Sequence, residues 1–453
     1  MRYNSFFKWN NRKYLAISAF TCFLIVVTWN NFNAALAGHQ LLQRIWSSGR
    51  RLIFYLPGIG QSFVNRMAEE KDSTEFILQR LQTRALNMKV ACLNNAFMFY
   101  NETENSSAIS SQEKSFFVNR EHRLIYWAIP KIASSFWKRI FRVIDSSNKD
   151  GQTIFNITNM EAHLNVPQSM EFLSYSRPEQ EVMLASYSKF FFVREPYSRL
   201  FSAYVDKLLI PNGLGKTLKK EMVKSGFLDT SKCIWDVSFA ELCHYVANAT
   251  LSGRPIDYHL KPISFQETCR FNASLLGHLE TFTEDSRAIL FSSNISISKI
   301  SGHVLDLDSE NELGYINDIT ARTMEVLNTR EKQCLGRFEA LLRLWKVFQI
   351  RGFISKTISF PFYQRIDKPE FIQSHELVYA ATQAYGISGP AEVRHRQREE
   401  AMLEAYAGLP EETLVMLEHS MSSDCTLLNY PCDIRKRIKL YIAGTNSFNL
   451  DLV

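Results

Sequence analysis

Apolar and polar positions alternate along most of the chain in a way that predicts layers of strands and helices. Two short apolar runs, within LIYWAI (124–129) and SKFFFV (188–193), have the length and the aromatic content of buried strands. Each run is followed by a stretch in which apolar residues return every three or four positions, which is typical of an amphipathic helix. From about 115 to 360, this alternation predicts a layered α/β domain.

The N-terminal region has a different pattern, because residues 14–29 are uncharged and mostly apolar. Four basic residues precede this run, and no acidic residue occurs before Glu69. We therefore predict a signal-anchor helix at 14–30 that leaves residues 1–13 in the cytosol and the rest of the chain in the lumen. The alternative is a cleaved secretory signal that ends in the ALA sequence just before Gly38.

The sequons and cysteines agree with a lumenal location. Seven cysteines lie beyond the apolar run, so disulfides are expected and at least one thiol remains outside an intramolecular pair. No Cys-x-x-Cys or His-Glu-x-x-His motif occurs, so we predict no metal site. The Asn-x-Ser/Thr sequons begin at Asn101, Asn105, Asn156, Asn248, Asn272 and Asn294.

Charge adds one restriction. The formal net charge is +6 and the isoelectric point is about 8.7. Proteins that bind nucleic acids over a wide surface usually carry a stronger basic stripe. We therefore predict a local basic cleft for an anionic ligand and no nucleic-acid partner.

The first candidate anion site follows the run 124–129. Pro130 ends the run, Lys131 is a single cation, and a basic, aromatic helix starts near Ser134 and Ser135. A strand–loop–helix turn binds phosphate or sulfate well, because unpaired N–H groups converge at the start of the helix. We expect the two serine hydroxyls to cap this helix. The alternative is an ordinary strand–helix turn that binds no ligand and in which the serines only cap the helix.

The second candidate site repeats this arrangement after the next apolar run. Arg194 ends the run and Pro196 is placed in the first turn of a helix, where proline is tolerated. Arg199 and Ser202 are three residues apart and are expected to share a face of that helix. These residues predict a second phosphate clamp. The alternative is a core helix with an ion pair between Arg194 and either Glu195 or Asp206.

The two motifs resemble those of Golgi membrane carbohydrate sulfotransferases, the group with the chondroitin, dermatan and natural-killer-epitope enzymes. The family's 5′-phosphosulfate loop reads Pro-Lys-Val-Ala-Cys-Thr-Asn-Trp-Lys-Arg, and residues 130–139 read PKIASSFWKR. Its 3′-phosphate motif reads Arg-Asp-Pro-Phe-Glu-Arg-Leu-Val-Ser-Ala-Phe, and residues 194–204 read REPYSRLFSAY. DYHLKP (257–262) is similar to a further family element, Asp-x-His-Trp-x-Pro. The similarity covers about 115–360.

The resemblance implies a P-loop-like fold, with a parallel sheet flanked by helices, and the co-substrate 3′-phosphoadenylyl sulfate. It also implies transfer of sulfate, in the Golgi lumen, to a hydroxyl of a glycan of chondroitin type or on a glycoprotein. Lys131 would neutralise the leaving oxygen, His259 would be the base, and Glu280 is the alternative base. The residues implied to bind the co-substrate are Pro130, Lys131, Ile132, Ala133, Ser134, Ser135, Phe136, Arg194, Glu195, Pro196, Tyr197, Ser198, Arg199 and Ser202.

Departures from the family pattern leave a second function open. Ser134 replaces a cysteine of the family, Phe136 replaces an asparagine, and Leu260 replaces a tryptophan. A glycan-binding relative with weak catalysis is therefore the alternative to an enzyme. A lumenal kinase would need carboxylates that bind metal near the phosphates, and none stands out. We divide the chain into a cytosolic tail (1–13), an anchor (14–30), a stem (31–85), a sulfotransferase domain (86–360) and a C-terminal extension (361–453).

Overall fold

The structure, a computed structural model, describes most of the chain beyond residue 58. The chain divides into two compact units, Met1–Lys71 and Asp72–Val453. Of the first unit only residues 59–71 are described, and they are helical. All side-chain contacts given below belong to the second unit. The described residues are 59–95, 113–145, 152–211, 213–266, 268–301, 307–329 and 334–444.

The elements alternate between strands and helices in the first part of the second unit and are helical in the last part. The strands are β1 (Phe116–Asn119), β2 (Leu124–Trp127), β3 (Ser188–Val193) and β4 (Leu275–His278). The helices up to β4 are α1 (Ile59–Asn94), α2 (Ser134–Ile144), α3 (Asn159–Leu164), α4 (Arg177–Ser186), α5 (Pro196–Lys207), α6 (Gly213–Lys224), α7 (Phe239–Leu251) and α8 (Thr268–Phe271).

After β4 every regular element is helical. These helices are α9 (Phe282–Ser292), α10 (Ile297–Ser301), α11 (Leu307–Leu327), α12 (Arg337–Ile350), α13 (Ser374–Gly386), α14 (Ala391–Ala407), α15 (Glu411–Leu428) and α16 (Ile434–Gly444). Short 3₁₀ turns lie at Glu113–Ser115, Gln168–Met170, Phe172–Ser174, Ile234–Asp236, Ile263–Phe265, Leu279–Thr281, Tyr363–Arg365 and Pro369–Phe371.

The described strands form one mixed sheet in the order β1-β2-β3-β4. β2, β3 and β4 are parallel, because helical crossovers connect them. β1 is antiparallel to β2, since the tight turn 120–123 joins them directly. The prediction of a sheet flanked by helices is confirmed, and β1 corrects the prediction that the sheet is parallel throughout.

One hydrophobic core surrounds the sheet. The residues of α2 predicted to share an apolar face, Trp137, Ile140, Phe141 and Ile144, are all buried. The ring centroid of Trp137 lies 4.7 Å from that of Phe190 in β3. Packing of α2 on the sheet thus fixes the position of the loop that connects β2 to α2.

Residues 72–94 of α1 pack against the sheet domain. Leu81, Ala85 and Met88 are buried, although part of this segment was assigned to the stem. Arg80 and Arg84 both bind Asp285, a completely buried carboxylate at the start of α9. Two charge-assisted contacts satisfy this carboxylate and join α1 to the region just after β4.

A second core consists of helices from the middle and the end of the chain. It includes buried side chains of α5, α7, α12, α14 and α15. The hydroxyl of Tyr406 donates to the carbonyl of Tyr197 at 2.9 Å, in the interior. Asp424 accepts hydrogen bonds from the N–H groups of Ile263 and Ser264. The described part of segment 361–453 is therefore packed into the domain.

Six of the cysteines form disulfides. The pairs are Cys92–Cys269, Cys233–Cys334 and Cys425–Cys432. Cys243 is free and buried, as the odd number of cysteines beyond residue 30 requires. Both expectations about the cysteines are confirmed for the residues from Cys92 onward.

No helix in the described part of the chain is both long enough and apolar enough to cross a membrane. The predicted anchor at 14–30 and the sequons at Asn101 and Asn105 lie outside the described residues. Of the sequons that are described, the side chains of Asn156, Asn272 and Asn294 are exposed.

Gly277 in β4 offers a test of the packing between β3 and β4. A Cβ atom at this position would lie 2.3 Å from Cε1 of Phe192, whose ring is held between Trp137 and Phe282. We expect Gly277→Ala to lower the free energy of unfolding by about 1–3 kcal/mol, as overpacking of a core does. Urea denaturation measures this change.

The matched control is Gly314→Ala in α11, where no atom lies within 4 Å of the added Cβ. Alanine should raise the free energy of unfolding there by about 0.5–1 kcal/mol, because glycine loses more conformational entropy in a helix. Equal denaturation midpoints for the two variants would contradict the packing at Gly277.

Candidate active site

A cleft of about 1870 Å³ opens at the carboxyl ends of β2, β3 and β4. The residues that follow each of these strands line it, which is the usual position of a ligand on an open α/β sheet. Both sequence motifs therefore contribute to one cleft. Residues of α11, α12 and α14 and residues near α16 line its other side, among them Arg322, Arg351, Arg398, Tyr430 and Arg437.

The loop after β2 has a backbone shaped for an anion. Lys131 and Ala133 adopt the left-handed conformation, with φ of 67° and 53°. Ala133 is the N-cap of α2 and no side chain caps this helix, so the prediction that Ser134 and Ser135 act as caps is wrong. No described atom accepts a hydrogen bond from the N–H groups of residues 132–135. These donors remain available where the loop borders the cleft.

Lys131 forms a buried ion pair with Asp206, with Nζ and Oδ2 2.9 Å apart. Burial lowers the pKa of Lys131 to about 7, although Asp206 opposes this shift. Burial alone would raise the pKa of Asp206, but Lys131, Lys207, Arg351 and Arg322 outweigh it and hold that pKa well below its ordinary value. One carboxylate thus faces four cations, and the group carries a surplus of positive charge toward the cleft.

Arg194 connects the two motifs. Its Nε donates to Ser198 Oγ at 2.8 Å, and one terminal nitrogen donates to the carbonyl of Lys131 at 3.4 Å. Burial lowers the pKa of Arg194 to about 10, against the attraction of Glu280, so the guanidinium stays charged at neutral pH. Ser198 and Ser202 follow on the same face of α5 and also line the cleft.

Arg199 has a different position from the one expected. Its guanidinium is buried and donates to the carbonyls of Pro130, Tyr258 and Lys261. Arg199 therefore joins the loop after β2 to segment 257–262, and each of its three side-chain nitrogens donates one of these bonds. Arg199 does not line the cleft, but it connects the two segments that form two of the cleft's walls.

The remaining predicted residues divide between the cleft and the core. Pro130, Ala133, Ser134, Ser135 and Glu195 line the cleft. Ile132, Phe136, Pro196 and Tyr197 are buried and are absent from its lining.

Three of these residues have local roles that the structure defines. The carboxylate of Glu195 caps α5 by accepting from the N–H groups of Tyr197 and Ser198. Pro196 occupies the first turn of this helix, as predicted. Phe136 packs edge-on against Phe282, with ring centroids 5.2 Å apart, so its ring belongs to the core.

His259 lies on the cleft wall beside Asp257. Nδ1 of His259 is 2.7 Å from Oδ1 of Asp257, which also accepts from the backbone N–H of His259. This pairing assigns the proton to Nδ1 and leaves Nε2 as the ring nitrogen that can accept one. Burial lowers the pKa of His259, and the hydrogen bond to Asp257 opposes that shift.

Glu280 is fixed by two donors. The N–H of Glu195 donates to Oε1 at 3.0 Å, and the hydroxyl of Tyr430 donates to Oε2 at 2.7 Å. Both carboxylate oxygens of Glu280 therefore already accept a hydrogen bond from the protein. The geometry of His259 fits the role of a base better than the geometry of Glu280 does.

Sequence reasoning missed two groups in this cleft and gave a third the wrong partner. Asp206 is considered there only as a partner of Arg194, whereas it pairs with Lys131. Nothing in the sequence pointed to His163 or Tyr430. His163 contacts Ser135 across 28 residues of chain, and Tyr430 contacts Glu280 across 150. In the part of the chain that is described, no group of three or more His, Cys, Asp or Glu residues could hold a metal ion.

Comparison with known proteins finds similarity to one family. The model of the Sulfotransferase family matches residues 114–328. Carbohydrate sulfotransferase 11 of Danio rerio is 31% identical over 197 residues, which cover 40% of this chain and 53% of that protein. Its counterpart in Rattus norvegicus is 28% identical over 267 residues, covering 56% of this chain and 70% of that protein.

A third relative is carbohydrate sulfotransferase 9 of Homo sapiens, 30% identical over 184 residues that cover 38% of this chain and 40% of that protein. The chain thus spans between two fifths and seven tenths of these relatives. No solved structure matches it. The matched region contains both loops of the cleft and His259. Residues 114–328 of this chain are therefore similar to the sulfotransferase family, and the relatives that match the chain are carbohydrate sulfotransferases.

Proposed function

We propose that this protein transfers a sulfuryl group from 3′-phosphoadenylyl sulfate to a hydroxyl group of a glycan. The observation that carries the proposal is the contact between the two anion motifs, in which half-buried Arg194 donates to the carbonyl of Lys131. A donor with a 5′-phosphosulfate and a 3′-phosphate needs two neighbouring cationic sites. The names of the relatives supply the class of acceptor.

The residues at the two sites fit such a donor. The N–H groups of residues 133–135 and the hydroxyl of Ser135 can hold sulfuryl oxygens. Arg194, Ser198 and Ser202 can hold the 3′-phosphate, because all three line the cleft from one side of α5 or from the turn before it. These cationic and N–H groups can hold both anionic ends of the donor without a metal ion.

The chemical step is a substitution at sulfur. His259 Nε2 accepts the proton of the glycan hydroxyl as its oxygen bonds to sulfur, and Asp257 stabilises the resulting imidazolium. Lys131 neutralises the phosphate oxygen that keeps the electron pair of the broken S–O bond. Asp206 holds Lys131 in the cleft before the donor arrives. This division of work needs both Lys131 and His259.

The cellular location of the protein is also part of the proposal. We propose a single-pass Golgi membrane protein, anchored by residues 14–30, with the sulfotransferase domain in the lumen. Three disulfides and the exposed sequon asparagines Asn156, Asn272 and Asn294 support a secretory route.

The location is tested by alkaline extraction and deglycosylation of the full-length protein. We expect the protein to stay in the membrane fraction, because an uncleaved helix anchors it. We also expect its mass to fall on treatment with an endoglycosidase. A mature N-terminus at Gly38 would contradict the anchor and indicate a cleaved signal.

The activity is tested with radiolabelled 3′-phosphoadenylyl sulfate and a panel of glycans that includes chondroitin. We expect the purified protein to label at least one glycan. In Arg194→Ala, the affinity for adenosine 3′,5′-bisphosphate should fall about 10- to 100-fold, since a hydrogen bond to a charged group contributes about 1.5–3 kcal/mol. Calorimetry measures this affinity.

The matched control is Arg365→Ala, because Arg365 is exposed, pairs with Glu376 and is absent from the cleft lining. Its affinity for the bisphosphate should equal that of the wild type. Binding of the bisphosphate without transfer to any glycan would contradict the proposed activity and favour a glycan-binding relative with weak catalysis. Equal affinities for Arg194→Ala and Arg365→Ala would contradict the role of Arg194.

The pKa shifts predict a bell-shaped dependence of kcat/KM on pH. His259 must be neutral to accept a proton, and burial lowers its pKa from the ordinary 6.5, so activity should rise with pH in the acidic range. Lys131 must be charged, and burial lowers its pKa to about 7. Activity should therefore fall as pH rises through about 7, because kcat/KM reports groups of the free enzyme.

Lys131→Arg isolates the alkaline limb, because a guanidinium stays charged throughout this range. We expect the variant to keep the acidic limb and lose the fall near pH 7. An unchanged alkaline limb in Lys131→Arg would show that another group titrates there.

A further inference from the structure

A second histidine borders the cleft and contacts a residue of the first motif. Nε2 of His163, in α3, lies 2.8 Å from Oγ of Ser135, and its Nδ1 lies 3.1 Å from Nζ of Lys138. All three side chains line the cleft. Nζ of Lys138 also lies 5.0 Å from the ring centroid of Phe117, which helps to fix its position.

The chemistry of these groups sets the direction of each hydrogen bond. An ammonium group can only donate, so Nδ1 of His163 accepts from Lys138. A neutral imidazole with an accepting Nδ1 carries its proton on Nε2. Nε2–H of His163 therefore donates to Oγ of Ser135. With that lone pair occupied, the hydroxyl proton of Ser135 is free to point away from His163.

The surroundings keep His163 neutral. Burial and the neighbouring cations Lys138, Lys207, Arg322 and Arg139 lower its pKa to about 3. His163 is exposed to solvent, and water weakens the effects of burial and of these charges. The shift is still downward, because the charges that act most strongly on the ring are all positive. A neutral ring at physiological pH is what donation from Lys138 requires.

We propose that His163 and Lys138 are positioning residues that direct the hydroxyl proton of Ser135 toward the transferring sulfuryl group. The inference rests on the proposed function, in which Ser135 holds a sulfuryl oxygen. Charge that develops on these oxygens is best stabilised by a donor already oriented in the free protein. Without His163, the hydroxyl of Ser135 can rotate, and part of that orientation is lost.

The backbone around His163 does not depend on its side chain. Arg142 of α2 donates to the carbonyls of Glu161 and Asn165. These two hydrogen bonds fix the backbone on both sides of His163. Thr158 and Glu161 form a capping box at the start of α3. Replacement of His163 should therefore leave α3 in place, so that the variant tests the hydrogen bond and not the fold.

The test compares His163→Leu with the wild type in sulfate transfer and in binding. We expect kcat to fall about 10- to 100-fold, below the loss of 10²–10³ that follows removal of a whole oxyanion donor. The affinity for adenosine 3′,5′-bisphosphate, which lacks the sulfuryl group, should not change. Ser135→Ala should lower kcat at least as much, and the double variant should be no slower than Ser135→Ala.

Two further variants separate positioning from a structural role. His163→Gln should recover part of kcat, because an amide N–H can replace Nε2–H as the donor to Ser135. His419→Leu is the matched control, since His419 is exposed on α15 and is absent from the cleft lining. Its kcat should equal that of the wild type.

The tautomer gives a readout that does not depend on activity. In protein labelled with ¹⁵N-histidine, the ring of His163 should show a proton on Nε2 and none on Nδ1. Lys138→Met should remove this preference. A proton on Nδ1 of His163 in the wild type would overturn the inference.

The kinetic outcomes distinguish the two proposals. A wild-type protein that transfers sulfate while His163→Leu keeps its kcat would overturn only the role of His163. A wild-type protein that transfers no sulfate to any glycan would overturn the proposed function, and with it this role of Ser135.

Discussion

The buried guanidinium of Arg199 holds together the two walls of the cleft on which the proposed chemistry depends. It donates to the carbonyl of Pro130 on one wall and to those of Tyr258 and Lys261 on the other. The first wall carries Lys131 and the second carries His259. A buried charge is costly unless hydrogen bonds satisfy it, so the backbone carbonyls must stay where the guanidinium needs them. The separation between the donor loop and the candidate base is thereby fixed.

The helices after residue 360 extend this constraint from outside the region that matches the family. Asp424 of α15 binds the backbone just after segment 257–262, which carries His259. Tyr430 binds Glu280, and Arg437 lies 3.3 Å from the carboxylate of Glu195. These contacts reach the residues that follow β3 and β4. The C-terminal helices are therefore a part of the site, and the cleft as described needs them to keep its shape.

Charge in the cleft is arranged so that positive groups exceed their partners. Asp206 faces Lys131, Lys207, Arg351 and Arg322, while Glu280 and Glu195 accept hydrogen bonds and lie close to Arg194. Desolvation makes such a surplus unfavourable in the free protein, as the lowered pKa values of Lys131 and Arg194 indicate. A bound anion would relieve this cost. The electrostatic arrangement and the backbone donors of residues 133–135 thus favour the same kind of ligand.

The sequence by itself determined the parts of the fold that depend on neighbouring residues. The apolar runs of β2 and β3, the buried face of α2 and the position of Pro196 follow from local periodicity and backbone chemistry, and so do the two motifs themselves. Only the tertiary structure decided the partners of Arg199, the hydrogen bond between Ser135 and His163 and the role of the C-terminal helices. It also replaced the expected serine caps of α2 by Ala133 in a left-handed conformation. The physical reason is that a polar side chain takes whichever partner packing brings within about 3 Å. The partner of Ser135 lies 28 residues away along the chain, and that of Arg199 at Pro130 lies 69 residues away.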